Sequence, residues 1–284
     1  MNLKKVLLVY KGDDIYKKLH CELNLDNEEK NIHRTILDNI IKVLDKNNIK
    51  FDIIARNNLK PIENYDLVIT FGGDGTVLDA SKFIKDIPLL GVNSDPNKSV
   101  GFFTGATKDN FENVINLILD DKVNKINLLR MKIFLNGNQL KELVLNDVLV
   151  TNNIPAVTCR YDIKLKDKKE THKSSGIWIS TPAGSTAAIR SAGGKTMPIE
   201  SEQFQYIIRE FYDGGKKGFS LLGSIIDFAD GLEITSNSDS VVFFIDGNSL
   251  NYSLVKGDKL NFYKSEYPLT ILAIDENKRL AFLN

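Results

Sequence analysis

Phe71-Gly72-Gly73-Asp74-Gly75-Thr76 sets three glycines and one acid between a strand-like run, Asp66 to Thr70, and a helix-like run, Val77 to Ile84. Parallel α/β sheets place their ligands at such strand-to-helix turns. Glycine lets backbone N–H groups approach a phosphate closely, and the helix N-terminus adds positive potential. An acid beside a phosphate is repelled by it, so Asp74 reads as a general base or a metal-linked group. The plainer alternative is a glycine-rich turn with an N-capping Asp.

Three further stretches carry polar groups suited to a nucleotide. Asn146-Asp147 interrupts the apolar run Leu143 to Val150. Between them Asn and Asp can hold a ribose diol, one donating and accepting, the other accepting; a strand-edge turn is the alternative. Thr181-Pro182-Ala183-Gly184-Ser185-Thr186-Ala187-Ala188 presents hydroxyls and free N–H groups at the start of an expected helix, Gly184 to Ala192, or else is a plain capping turn. Lys173-Ser174-Ser175-Gly176 adds a basic residue and two hydroxyls. The loop Asn93 to Ser99 ends in Gly101-Phe102-Phe103, where Phe102 is available to stack on a ring if the loop borders a site. No Walker A sequence, no dinucleotide fingerprint after the first strand and no Gly-x-Ser-x-Gly elbow is present.

The elements that must position these groups fall into two regions. Strands at Val6 to Tyr10, Phe51 to Ala55, Leu67 to Thr70 and Pro88 to Asn93 alternate with helices at Asn27 to Asn47 and Phe111 to Leu119. Ile32, Ile36, Ile40, Ile41 and Leu44 give the first helix an apolar face. This rhythm predicts a parallel sheet with helices on its faces over residues 1–125. Residues 126–264 are mostly strands: 127–135, 141–151, 161–166, 176–181, 232–236, 241–246 and 259–264, with a hairpin at Asn136-Gly137 and turns at Asp246-Gly247 and Lys256-Gly257-Asp258. A last apolar run follows at 269–273.

The 284 residues hold 37 Lys+Arg against 37 Asp+Glu. A net charge of zero gives no global support for nucleic-acid or anionic-membrane binding. Cys21 and Cys159 read as free thiols, and His20, His33 and His172 lack zinc-ligand spacing and are expected on surfaces or helix faces. No secretory signal or membrane span is visible, so the expected location is the cytoplasm.

Taken in order, these motifs resemble the NAD kinases. Gly72 to Thr76 matches that family's glycine-aspartate motif, Asn146-Asp147 stands where the family usually has Asn-Glu, and Thr181 to Ala187 with Ser191-Ala192-Gly193-Gly194 matches its second motif. Asp246-Gly247 and Lys256 to Asp258 match the C-terminal half. The segments 91–101, 173–176 and 207–210 look closest to the mitochondrial-type branch. The resemblance implies an α/β N-terminal domain with a parallel sheet and a β-rich, β-sandwich-like C-terminal domain, with residues 265–284 returning to the first. It implies transfer of the terminal phosphate of ATP or polyphosphate, with Mg²⁺, to the 2′-hydroxyl of the adenosine ribose of NAD. Asp74 would be the base, and Gly72, Gly73, Gly75 and Thr76 would hold donor phosphates. Phe102, Asn146, Asp147, Ser175, Ser185, Thr186 and Ala187 would bind NAD. Neither nucleic acid nor membrane is an expected partner; a homodimer or homotetramer is. Three positions depart from the family pattern: Asp147 for Glu, Ser175 for the Asp of many bacterial members, and Ala188 for a frequent Tyr. A lipid kinase of the diacylglycerol/sphingosine type and a non-catalytic NAD(P)-binding sensor are the alternative readings.

Overall fold

The structure is a computed structural model that describes residues 1–11, 27–97, 99–215, 217–275 and 278, with the backbone alone for residues 27–35. His20, Cys21, Lys98 and the side chains of Ile32 and His33 lie outside the described parts. The chain divides into two compact units, one of Met1–Asn127 with Leu269–Phe282, the other of Leu128–Pro268.

The first unit is built on a seven-stranded sheet. Its strands are β1 (Lys5–Tyr10), β2 (Lys50–Ala55), β3 (Leu67–Gly72), β4 (Leu89–Asn93), β5 (Thr104–Thr107), β6 (Lys125–Leu128) and β19 (Leu269–Leu272). They run in the order β2-β1-β3-β4-β19-β6, with β5 paired to β4. The pairs β1–β2, β1–β3, β3–β4, β4–β5 and β4–β19 are parallel. Every residue of β3 and of β4 is buried, as expected of central strands covered on both faces. Helix α1 (Asn27–Lys46) buries Ile36, Leu37, Ile40, Val43 and Leu44, the stripe its apolar spacing dictates. Helices α2 (Asp74–Ser81) and α3 (Phe111–Leu119) complete the unit.

The second unit is two six-stranded sheets that share one apolar core. The strands are β7 (Met131–Leu135), β8 (Asn138–Val144), β9 (Asp147–Asn152), β10 (Cys159–Leu165), β11 (Lys168–Ser174), β12 (Gly176–Ser180), β13 (Phe204–Arg209), β14 (Gly223–Ile226), β15 (Glu233–Ser236), β16 (Val241–Ile245), β17 (Asn251–Leu254) and β18 (Lys259–Lys264). One sheet has the order β11-β10-β15-β18-β7-β8 and the other β14-β13-β12-β9-β16-β17. The expected fold class, an α/β domain followed by a β-rich one, is therefore what the chain adopts. The chain changes sheets twice within short bends. It does so at Leu145-Asn146, between β8 and β9, and at Ser175, between β11 and β12.

Several expectations need correcting. The single strand expected over 127–135 is two, β6 and β7. The run expected over 141–151 is broken by the sheet change at Asn146. The helix expected over Gly184 to Ala192 is a 3-10 turn (Ala183–Thr186) and one short turn, α4 (Ala188–Ser191). Between them Ala187 leaves helical geometry (φ −88°, ψ −145°). His172 is no surface group: it is 1% exposed on β11, 2.9 Å from Glu170 and edge-on to the rings of Tyr161, Phe211 and Phe219. Cys159 is a free, buried thiol, pushed up to about 12 by burial.

Candidate active site

In the first unit the glycine turn begins where β3 ends. Gly73 is the N-cap of α2, extended at φ −113°, ψ −166°, and Asp74 is the first helical residue. Packing explains two of the glycines. A Cβ on Gly72 would lie 2.3 Å from Thr76 Oγ1, and one on Gly73 2.9 Å from Ser99 Oγ. Asp74 does not cap its own helix. Its Oδ2 accepts the N–H of Phe102 at 3.0 Å and its Oδ1 the N–H of Phe103 at 2.8 Å. An acid beside a phosphate turn is tolerable on these terms, because two backbone dipoles face it. Each carboxylate oxygen keeps a lone-pair site for a further donor.

The segment that Asp74 holds is itself fastened. Gly101 takes φ +66°, and a Cβ there would meet Thr104 Oγ1 at 2.3 Å. Thr104 Oγ1 donates to Gly101 O at 2.9 Å, and Lys278 Nζ donates to Gly101 O and Thr104 O at 3.0 and 3.1 Å. Asn93 Nδ2 donates to Ser99 O at 3.1 Å. Phe102 is left half-buried beside the acid.

In the second unit the two motifs named from sequence meet at one place. Thr181 N–H and Ser180 Oγ donate to Asn146 O at 2.9 and 3.1 Å, and Thr181 Oγ1 donates to Leu145 O. Gly184 passes so close to this bend that a Cβ would lie 2.2 Å from Asn146 O. From the other side Asp246 accepts three backbone N–H groups: Leu145 at 2.8 Å, Asn146 at 2.7 Å and Asp147 at 3.0 Å. Three such donors suit an ionised carboxylate. Asp246 holds φ at +47° and Gly247 at +97°, a turn that only a short polar residue and a glycine adopt readily. The bend exposes little: Asn146 is 7% accessible, and its Oδ1 is buried with no hydrogen-bond partner among the described residues.

Charge at this bend is unusual. Burial, and then the neighbouring charge of Asp246, raises the Asp147 carboxyl to about 8. The Arg130 guanidinium is fully buried, and burial lowers it to about 10 against the opposing pull of Asp246. Arg130 Nε donates to Tyr267 O at 2.8 Å. Buried Arg130 and Asp246 thus balance, and Asp147 is the group left to hold a proton at neutral pH.

Not every residue singled out from sequence joins these clusters. Ser185 is fully buried and its hydroxyl is committed, donating to Pro182 O at 2.8 Å and accepting Met197 N–H at 2.9 Å. Thr186 and Ala187 are partly exposed. Ser180, next to Thr181, pairs with Asp147; Ser175 lies at the opposite end of β12, about 16 Å along the strand. Its N–H donates to Arg209 O and its carbonyl accepts Thr151 Oγ1. The structure also adds two residues. Asp246 looked like a turn residue, and Arg130 fell inside the strand expected over 127–135, where nothing singled it out. A cavity of about 810 Å³ in the first unit, walled mainly by residues 57–65, contains none of the residues singled out.

Two plant proteins show what this framework is related to. The chain is 34% identical over 278 residues to the probable NADH kinase of Oryza sativa subsp. japonica, covering 90% of this chain and 85% of that protein. It is 34% identical over 294 residues to the NADH kinase of Arabidopsis thaliana, covering 92% of each. The chain belongs to the NAD kinase family. A family model described as the ATP-NAD kinase N-terminal domain matches residues 15–123. The plant relatives fit the mitochondrial-type branch. Two solved family members share the fold. An Archaeoglobus fulgidus NAD kinase in complex with ATP has a TM-score of 0.72 at 20% identity, over 98% of this chain and 97% of that one. Yeast NADH kinase complexed with NADH has a TM-score of 0.76 at 17% identity, over 100% and 87%.

Proposed function

We propose that the chain phosphorylates the 2′-hydroxyl of the adenosine ribose of NAD, using ATP or polyphosphate, and releases NADP. The observation that carries the reading is the Asp74 carboxylate, held at the head of α2 by two backbone N–H groups amid the glycine turn. Phosphoryl transfer asks mainly for positioning and for neutralisation of charge. The ribose O–H donates to Asp74, which takes its proton as the oxygen attacks the terminal phosphorus. A new O–P bond forms, the bond to the bridging oxygen breaks, and ADP leaves with that electron pair. Gly72, Gly73, Gly75 and Thr76 hold the donor phosphates, with Phe102 against a ring. Asn146 and Asp147 hold the adenosine, and Thr186 and Ala187 line its pocket beside Ser185; Ser175 serves the dinucleotide elsewhere.

Magnesium enters as part of the donor substrate and offsets its phosphate charge. A cation held mostly by substrate phosphates needs no protein cage. A second acceptor, NADH, is favoured by the name both plant relatives carry. The lipid-kinase and sensor readings have no comparable support. No described helix is long and apolar enough to cross a membrane, and the cytoplasm is the proposed location. A homodimer or homotetramer is the proposed assembly, to be read by light scattering.

The test is NADP(H) formation by the purified chain with Mg²⁺, pairing ATP, then polyphosphate, with NAD, then NADH. Product with at least one pairing is expected. Tight NAD binding without turnover for any donor would support the sensor instead.

A further inference from the structure

One glycine of the turn is unexplained by the fold. Gly75 has no positive φ, and a Cβ built on it meets only Arg56 Nη1, at 3.7 Å, an ordinary contact. Neither backbone strain nor protein packing requires glycine there. Gly75 is instead the second residue of α2, where backbone N–H groups have no intrahelical partner. The open space before it is bordered by a guanidinium.

Arg56 reaches this space from the 3-10 turn after β2 (Arg56–Asn58), which leaves the same edge of the parallel sheet as the β3–α2 turn. Its Nη1 is 3.4 Å from Asp79 Oδ2, but Asp79 also holds Lys82, whose Nζ is 2.9 Å from Oδ1 and whose side chain is 1% exposed. One carboxylate therefore serves two cations. Arg56 Nε is buried with no hydrogen-bond partner among the described residues. In the same turn the hydroxyl of Thr76, a residue 1% exposed, is also buried and unpartnered. Asp74, in the same turn, has both oxygens turned to Phe102 and Phe103.

We propose that Arg56 is a donor-binding residue, its guanidinium contacting the phosphate chain of the donor in front of Gly75. The proposal rests on the phosphoryl-transfer reading of the turn and adds a residue to it. A planar fork of N–H donors matches phosphate oxygens, and a phosphate here would also meet the first N–H groups of α2. Gly75 is then glycine because a methyl group would occupy the phosphate's place.

The experiment is titration of the full chain with MgATP, with inorganic tripolyphosphate and with NAD. Arg56→Met should weaken ATP and tripolyphosphate roughly ten- to a hundredfold, the cost of one charge-assisted pair, and leave NAD unchanged. Arg56→Lys should recover part of the loss, since it restores charge without the fork. Gly75→Ala should weaken both donors at unchanged melting temperature. Asp79→Asn, which removes the ion pair but not the guanidinium, should keep donor affinity; a role confined to that ion pair would make it resemble Arg56→Met. Unchanged donor affinity in Arg56→Met, parallel loss of donor and NAD, or a wild-type chain that binds neither phosphate probe overturns the proposal. A wild-type chain that binds ATP through Arg56 yet makes no NADP overturns the kinase reading and leaves the Arg56 site standing.

Discussion

At the scale of single residues, the Asn146 bend is set by the balance of its buried charges. Asp147 sits with burial and Asp246 both opposing its ionisation, at about 8. An unfolded Asp ionises near 3.8, so between those two values the native state binds the extra proton. Stability contributed by this group is therefore lost as pH rises from about 4 to about 8 and is level outside that window. Asp147→Asn should stabilise the protein by about 1–3 kcal/mol at pH 8 and by nothing at pH 4, read as the difference from wild type in urea unfolding. Equal effects at both values would contradict the assignment. A protonated Asp147 also donates a hydrogen bond, so NAD affinity in the wild type should fall as pH passes 8, and the Asn variant should lose that dependence. Asp246 works in the other direction. Asp246→Ala strips three backbone N–H groups of their acceptor and leaves Arg130 without its balancing charge. A loss of about 3–5 kcal/mol is expected in thermal or denaturant unfolding.

At the scale of elements, what was legible in the chain depended on how local its cause was. The Asn136-Gly137 hairpin was legible because its turn needs positive φ at both central residues, and both take it, at 52° and 81°. The glycine turn and α3 were legible for similar reasons. The break between β6 and β7 was not, because 127–135 is a largely apolar run with no Gly, Pro or other turn residue to mark Leu129-Arg130 as a break. Nor was the break at Ala187, which follows a 3-10 turn packed against Asn146. The bend at Asn146 was visible only as a polar interruption; its cause is tertiary, the clamp of Asp246 on one side and Thr181 and Gly184 on the other. Gly184 tests that packing. Gly184→Ala should push the bend away from its 2.2 Å contact with Asn146 O, costing about 2–4 kcal/mol of stability. It should raise KM for NAD while leaving KM for ATP unchanged, a split that general unfolding would not produce.

At the scale of the whole molecule, each unit assembles one chemical capacity. The first gathers a glycine turn, a fastened acid and an arginine, the parts proposed to meet a phosphate donor. The second gathers a bend whose polar edge is fixed by buried charge, the part proposed to hold adenosine. Two relatives 34% identical along nearly the full chain establish family membership, and the reaction proposed above turns on Asp74. The direct test is single-turnover NADP formation by Asp74→Asn at saturating NAD and ATP, with the fold checked by circular dichroism. The amide keeps one acceptor for the Phe102–Phe103 segment and removes the base. Asp74 as base predicts a loss of at least about 100-fold in rate with both substrates still bound. A rate close to that of the wild type would contradict it.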